Sequence, residues 1–217
     1  MNPRITIIIL TNLLILASCS IKKRTRQSEP VLSEPITEKL VIWTEQSHIN
    51  KVIRFENTMN EEKEILEKKV FLSDSVYPMF NNYRICQPYI VKRNLNSELP
   101  IYAEYFFTEK DSILKYVSYD WEKDKFGNSY KKEEMWMQES GKIEFYNEKY
   151  ELIKSSLIDE FGQPNLEDSL PQITKSQWGQ DDYLSRNTEW DAESMNVKLN
   201  MVFAANTYRI RLNYYWK

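Results

Sequence analysis

The sequence predicts an α+β domain, an antiparallel sheet with helices packed on one face, behind an N-terminal signal peptide and a flexible tether. Three observations carry this expectation. Val197, Leu199, Met201 and Phe203 alternate with Lys198, Asn200 and Val202, and Tyr208, Ile210, Leu212, Tyr214 and Trp216 alternate with Arg209, Arg211, Asn213 and Tyr215. A period of two with one apolar side marks strands that are buried on one face and wet on the other. Tyr150, Ile153, Leu157, Ile158 and Phe161 fall instead on one stripe of a 3.6-residue period, a helix laid on that sheet. Finally, Ile5 to Ala17 is an apolar run behind the single basic residue Arg4. As a helix it spans about 20 Å, too short for a hydrocarbon core of about 30 Å, so it reads as a signal-peptide core. The expected division is residues 1–18 signal peptide, 19–37 tether and 38–217 one α+β domain.

The elements follow in order. Leu40 to Trp43 reads as a short strand. Thr58-Met59-Asn60-Glu61 has capping-box spacing and predicts a helix from about Met59 to Leu72, with Ile65, Leu66 and Val70 inward. Ser73-Asp74-Ser75 ends it, and residues 73–99 read as irregular, punctuated by Pro78 and Pro88. Ile101 to Phe107 and Ser112 to Glu122 are aromatic and β-branched around Glu109-Lys110-Asp111, a β-hairpin. Residues 124–139 read as a polar loop with Trp136 folded back. The clearest helix is Glu148 to Phe161, capped by Asn147; Gly162 suits the left-handed position after the last turn, and Pro164 blocks continuation. A strand around Leu184 to Trp190 precedes the final hairpin, whose two strands Ala204-Ala205-Asn206 connects.

Composition bounds the function. The 217 residues carry 29 Lys plus Arg against 32 Asp plus Glu, a formal charge of −3, with hydrophobic residues at 41%. That is globular composition, and the near-balanced charge gives no reason to expect nucleic acid. Only 4 glycines occur, so phosphate-cradling glycine loops are scarce, and no dinucleotide or phosphate-loop pattern surrounds them.

The apolar run ends in Leu16-Ala17-Ser18-Cys19. An aliphatic residue, two small residues and a cysteine directly behind a signal core resemble the lipobox of bacterial lipoprotein precursors, over the first 20 or so residues only. The resemblance implies cleavage before Cys19 and a diacylglyceryl thioether on its sulfur, hence a membrane partner reached through a lipid anchor; stable anchoring takes at least two acyl chains. It also implies a cell-envelope address. Ser20, not Asp, follows the lipid site, and by analogy with known sorting rules this points to the outer membrane, facing the periplasm. Ser20 to Thr37 holds Lys22, Lys23, Arg24 and Arg26 with Pro30 and Pro35. It reads as a solvated tether reaching about 55 Å when extended. Its bases either lie on anionic headgroups or simply keep the linker soluble. The remaining cysteine, Cys86, has no partner for an intramolecular disulfide once Cys19 is lipidated, and reads as a small buried residue rather than a nucleophile.

The search for chemistry is mostly negative. His48, the only histidine, cannot build a multi-histidine zinc site and reads as a solvated surface residue. Ser-x-x-Lys recurs at Ser20, Ser112 and Ser129 without the partner motifs that penicillin-binding enzymes need. Asp120, Glu122 and Asp124 alternate, but a calcium loop would need glycine where Lys125 stands, so they read as the charged outer face of a strand. No catalytic residue, metal or cofactor is expected. Lys198, Arg209, Arg211 and Tyr215 should share the outer face of the C-terminal hairpin. This basic-aromatic patch suits an acidic envelope protein or an anionic glycan, or is an ordinary solvated face. The expected role is a non-catalytic binding or assembly module. The alternatives are an immunity-type lipoprotein against a periplasmic toxin, and a cell-wall hydrolase using paired carboxylates such as Asp181 and Asp182 or Asp159 and Glu160.

Overall fold

The computed structural model describes residues 40–59, 62–127, 140–175, 182–204 and 207–217. The signal peptide, Cys19, the whole tether, Asn60, Glu61, Trp136, Asp181 and the 205–206 connection lie outside these residues. Within them, nine antiparallel strands form one sheet and two helices accompany it. In chain order the elements are α1 (Ile49–Thr58), β1 (Lys63–Leu66), β2 (Tyr89–Arg93), β3 (Ile101–Phe107), β4 (Leu114–Trp121), α2 (Ser140–Phe161), β5 (Leu166–Glu167), β6 (Gln172–Thr174), β7 (Tyr183–Asp191), β8 (Met195–Ala204) and β9 (Thr207–Trp216). The strands lie in the order β1-β2-β3-β4-β9-β8-β7-β5, with β6 also paired to β7. Residues 42–217 make up this compact unit.

The N-terminal half differs from its sequence expectation. No strand forms at Leu40 to Trp43; Trp43 is buried, with its ring edge-on to Phe55 at 5.4 Å. The first helix lies earlier than the capping-box pattern suggested. His48 caps α1, its Nδ1 accepting from the Asn50 amide at 3.1 Å, and Ile49, Val52 and Glu56 face inward. Thr58, expected to start a helix, is the last residue of one and donates to the Phe55 carbonyl at 2.7 Å. Lys63–Leu66 is a strand paired residue by residue with Arg93–Ile90, and Ile65, expected inward, is exposed. The ladder overrides the helical propensity of a Glu- and Lys-rich stretch, because propensity is worth only tenths of a kcal/mol per residue. Val70 and Leu72 pack with Tyr77, Phe106 and Tyr116, so the segment after β1 covers part of β3 and β4.

Residues 73–99, expected to be irregular, contain β2, whose Tyr89–Arg93 backbone is fixed by ladders to β1 on one side and β3 on the other. The later elements lie closer to their expected places. β3 and β4 form the hairpin, with a bulge between Phe106 and Phe107 and Ser112 at a φ of 56° in the turn. α2 begins well before Glu148, so Asn147 is a helical residue rather than a cap; its Oδ1 accepts from Arg186 at 2.7 Å. Tyr146, Tyr150, Ile153 and Leu157 form the buried stripe of α2, and Ile158 and Phe161 at its edge are half-buried. Gly162 takes a φ of +76° and its amide bonds the Ile158 carbonyl at 2.8 Å, ending α2 as expected. β8 and β9 alternate buried and half-exposed along their length, with Leu199 opposite Leu212 and Asn200 opposite Arg211.

Directly opposed residues of an antiparallel pair lie on one face. The register therefore puts Arg93, Ile101, Trp121, Ile210 and Met201 on one side, together with Tyr105, Tyr119, Leu212, Leu199 and Thr188. Arg209, Arg211, Asn213, Asn200 and Asn187 lie on the other. Each large apolar side chain on the first side contributes about 1.5–3 kcal/mol over leaving it in water. Among them sit buried polar groups, Thr188, Arg186 and Arg93; Arg93 Nε donates to Glu56 Oε2 at 3.1 Å, and Arg93 Nη2 donates to the Tyr105 hydroxyl at 2.8 Å.

Candidate functional site

The second side of the sheet is open over β7, β8 and β9. There a shallow groove of about 340 Å³ is lined mainly by polar side chains, Arg209, Arg211, Asn213, Asn200, Asn187 and Lys198 among them. Tyr183, Ser185 and Thr174 line its β6 end, and Val202 is its one aliphatic residue. The strands hold these groups because every second residue of an antiparallel ladder turns to the same side. The polar positions of β9 therefore face those of β8 and β7 across fixed registers.

Two of the three cations are already partnered. Arg211 grips Asp120 through Nε to Oδ1 at 2.5 Å and Nη2 to Oδ2 at 3.0 Å. Burial works against the Arg211 charge, but Asp120 outweighs it and holds the guanidinium above its ordinary pKa. Lys198 Nζ lies 2.6 Å from Glu189 Oε1 at the half-exposed rim. Arg209 has no carboxylate within ion-pair distance among the described residues, and its Nε is buried without a hydrogen bond. Burial and the adjacent Arg211 charge pull Arg209 below the ordinary arginine value, and the more distant Asp120, Glu122 and Glu104 carboxylates offset this only in part. Asn213, four residues along the same face of β9, has a buried Oδ1 that is also without a partner.

The amides of the floor are oriented. Asp168 Oδ2 accepts from the Asn187 backbone amide at 2.9 Å and from Asn187 Nδ2 at 3.1 Å. Asn187 Oδ1 in turn accepts from Asn200 Nδ2 at 2.7 Å. Thr174 and Ser185 hydroxyls bond each other at 2.7 Å. This chain fixes which end of each amide is a donor and which an acceptor, so the floor presents a set pattern of hydrogen-bonding groups.

The structure brings three of the four sequence-derived residues, Lys198, Arg209 and Arg211, into one groove. Tyr215 shares their side of β9, but its ring meets Tyr77 edge-on at 5.4 Å and it does not line the groove. Sequence reasoning missed the β7 contribution, although Ser185 and Asn187 are the polar alternates of the expected strand there.

The acidic candidates fare differently. Asp120 is not part of a solvated strand face: it is fully buried, held by Arg211 and by Lys125. Lys125 Nζ also reaches Glu104 Oε1 at 2.6 Å. Burial pushes the Glu104 carboxyl up, the Lys125 charge opposes this, and neighbouring Asp120 adds to it. In Asp120 the pull of Arg211 and Lys125 outweighs burial and keeps it ionised below the usual range. Asp159, Glu160 and Asp182 are exposed, and no carboxylate lines the groove among the described residues. His48 is exposed and serves as a helix cap. Cys86 is half-buried rather than buried, and burial followed by the Glu109 charge pushes its thiol up, away from thiolate chemistry. Among the described residues no group of three or more His, Cys, Asp or Glu side chains is placed to hold a metal ion, and no helix is long and apolar enough to cross a membrane. Comparison of the chain with protein-family models, with curated proteins and with solved structures finds no match.

Proposed function

We propose that this chain is a lipid-anchored envelope protein, held on the outer membrane through Cys19 and facing the periplasm. Its sheet domain is a non-catalytic module that binds an anionic envelope component in the β7-β8-β9 groove. The observation that carries this reading is Arg209, a half-buried guanidinium that lines the groove without a carboxylate partner among the described residues. A buried cation without a counter-charge is costly, and an anionic ligand relieves that cost. The same reading puts both helices on the opposite side of the sheet, which leaves the groove uncovered. Its support is that Glu56 of α1 meets Arg93 and Tyr150 of α2 bonds Thr188 at 2.7 Å, both on the side of the sheet away from Arg209. Among the described residues no carboxylate lines the groove, which favours binding over a two-carboxylate hydrolase.

The test is made on the lipidated chain in cells. The wild type should sediment with the outer membrane, and a Cys19→Ala form should not. After crosslinking in intact cells, the wild type should retain envelope material that an Arg209→Gln form loses. Identical fractionation of wild type and Cys19→Ala would sink the anchor, and identical capture by wild type and Arg209→Gln would sink the groove.

A further inference from the structure

We infer that the groove recognises a carboxylated oligosaccharide, with one uronate-type carboxylate on Arg209 and sugar hydroxyls on the asparagine floor. The inference rests on the binding reading above and specifies its ligand. Charge comes first. Of the three cations at the groove, Arg211 is held by a two-point contact with Asp120 and Lys198 by Glu189, while Arg209 has no carboxylate within ion-pair distance among the described residues and feels Asp120, Glu122 and Glu104 only from further away. One such guanidinium matches one carboxylate, whose two oxygens suit its fork. A phosphate monoester, carrying up to two charges, would leave one unmet.

The hydrogen-bonding pattern comes second. Arg209 Nε is a buried donor and Asn213 Oδ1 a buried acceptor, each without a partner, on the same face of one strand. Buried polar atoms are rarely left unmade in native proteins. They lie four residues apart along β9, about 13 Å, so one ligand meets both only if it is longer than a single sugar, with a uronate carboxylate at Arg209 and a hydroxyl of a following sugar at Asn213. The Asp168-Asn187-Asn200 chain holds further amides in fixed orientation, which suits hydroxyls that both donate and accept.

Apolar content comes third. Protein partners bind through aromatic or aliphatic anchors seated in apolar pockets. Among the described residues the only aliphatic lining is Val202, and the one aromatic, Tyr183, is half-buried at the end of the groove, where a sugar ring can lie against it. A volume of about 340 Å³ sits at the low end for small-ligand sites of ~300–1,000 Å³. The groove is open to solvent, so a longer chain can continue beyond it.

The experiment is calorimetric titration of the full lipidated protein in detergent with tetramers of galacturonate, of mannuronate and of sialic acid. Each titration is repeated with the methyl ester, which removes the charge and keeps every hydroxyl. A hexaglutamate peptide forms a separate arm. At least one free-acid tetramer should bind about ten- to a hundredfold more tightly than its ester, the size expected for a charge-assisted contact. Arg209→Gln, with its melting curve checked, should abolish that difference between acid and ester. Binding of hexaglutamate that depends on Arg209, with all three tetramers silent, would overturn the saccharide assignment and leave the anionic groove standing. Silence from saccharides and peptide alike would overturn both. Equal binding of acid and ester would overturn the role of Arg209.

Discussion

Replacing Arg93 by Met should destabilise this domain more than any surface change, because of what it leaves behind. Glu56 is 0% exposed and Arg93 2% exposed. The guanidinium donates to both oxygens of the Glu56 carboxylate and to the Tyr105 hydroxyl. Met fills much of the same volume, so little of the loss comes from a cavity. The loss comes from a buried carboxylate without its counter-charge, and breaking such a pair costs about 3–5 kcal/mol. For a domain of this size each kcal/mol moves the melting temperature by about 2–4 °C, so the expected drop is about 6–20 °C. The double replacement Arg93→Met with Glu56→Leu removes both charges and should recover most of that loss, since apolar substitution of a whole buried pair is often neutral or stabilising. Tyr105 keeps a neighbour in either case, the Tyr119 hydroxyl at 3.3 Å. Urea and thermal unfolding of wild type, single and double variants form the assay. A single variant that loses less than about 1 kcal/mol, or a double no more stable than the single, would refute the reasoning.

Three further outcomes are expected. Glu104→Gln should gain on the wild type as pH rises from about 4 to 7. Burial raises the Glu104 carboxyl in the fold, so its contribution is full below the unfolded value of about 4.3 and is lost as pH rises through the folded one; melting at the two pH values checks the sign. Asp120→Asn should behave oppositely, costing stability at pH 7 and progressively less as pH falls below the unfolded value of about 3.9. Arg211 and Lys125 hold Asp120 low, and its contribution is lost only as pH falls through the folded value. Gly162→Ala should cost about 1–2 kcal/mol through the φ of +76° alone, as an added Cβ meets no atom within 4 Å. Chemical unfolding followed by tryptophan fluorescence reads this change, since Trp190 Nε1 donates to the Gly162 carbonyl at 2.9 Å.

The C-terminal hairpin was legible because each of its strands carries ten residues of nearly unbroken alternation, and tertiary contacts only reinforce what the period states. The end of α2 was legible for a similar reason, with a glycine and a proline in the right places. The region before β2 was not. One inward position of α1 is Glu56, which a hydropathy pattern reads as solvent-facing, and its partner Arg93 lies 37 residues away. His48 is an uncommon cap. The Glu- and Lys-rich stretch after α1 carries helical propensity, yet pairing with β2 decides it. At the candidate site, alternation placed Lys198, Arg209 and Arg211 on one side. Asp120 could not be read as the neutraliser of Arg211, because that contact spans 91 residues. Which arginine stays unpaired is a tertiary fact, and the ligand assignment turns on it.

The position of β9 has a consequence for how the chain assembles. It follows every other strand in sequence, yet it lies between β4 and β8 in the middle of the sheet. During vectorial synthesis the earlier strands can form only two separate blocks, β1 to β4 and β5 to β8, each with an open hydrogen-bonding edge. Only when the final described residues emerge does one strand zip both edges together. The same step brings Trp216 Nε1 to the Thr44 carbonyl at 3.2 Å and the Trp43 amide to the Tyr214 hydroxyl at 3.2 Å, locking the entrance of the domain to its last strand. A nascent chain stopped before Thr207 is therefore two unfinished half-sheets rather than a smaller domain, and the decisive cooperative event in folding waits for the last strand.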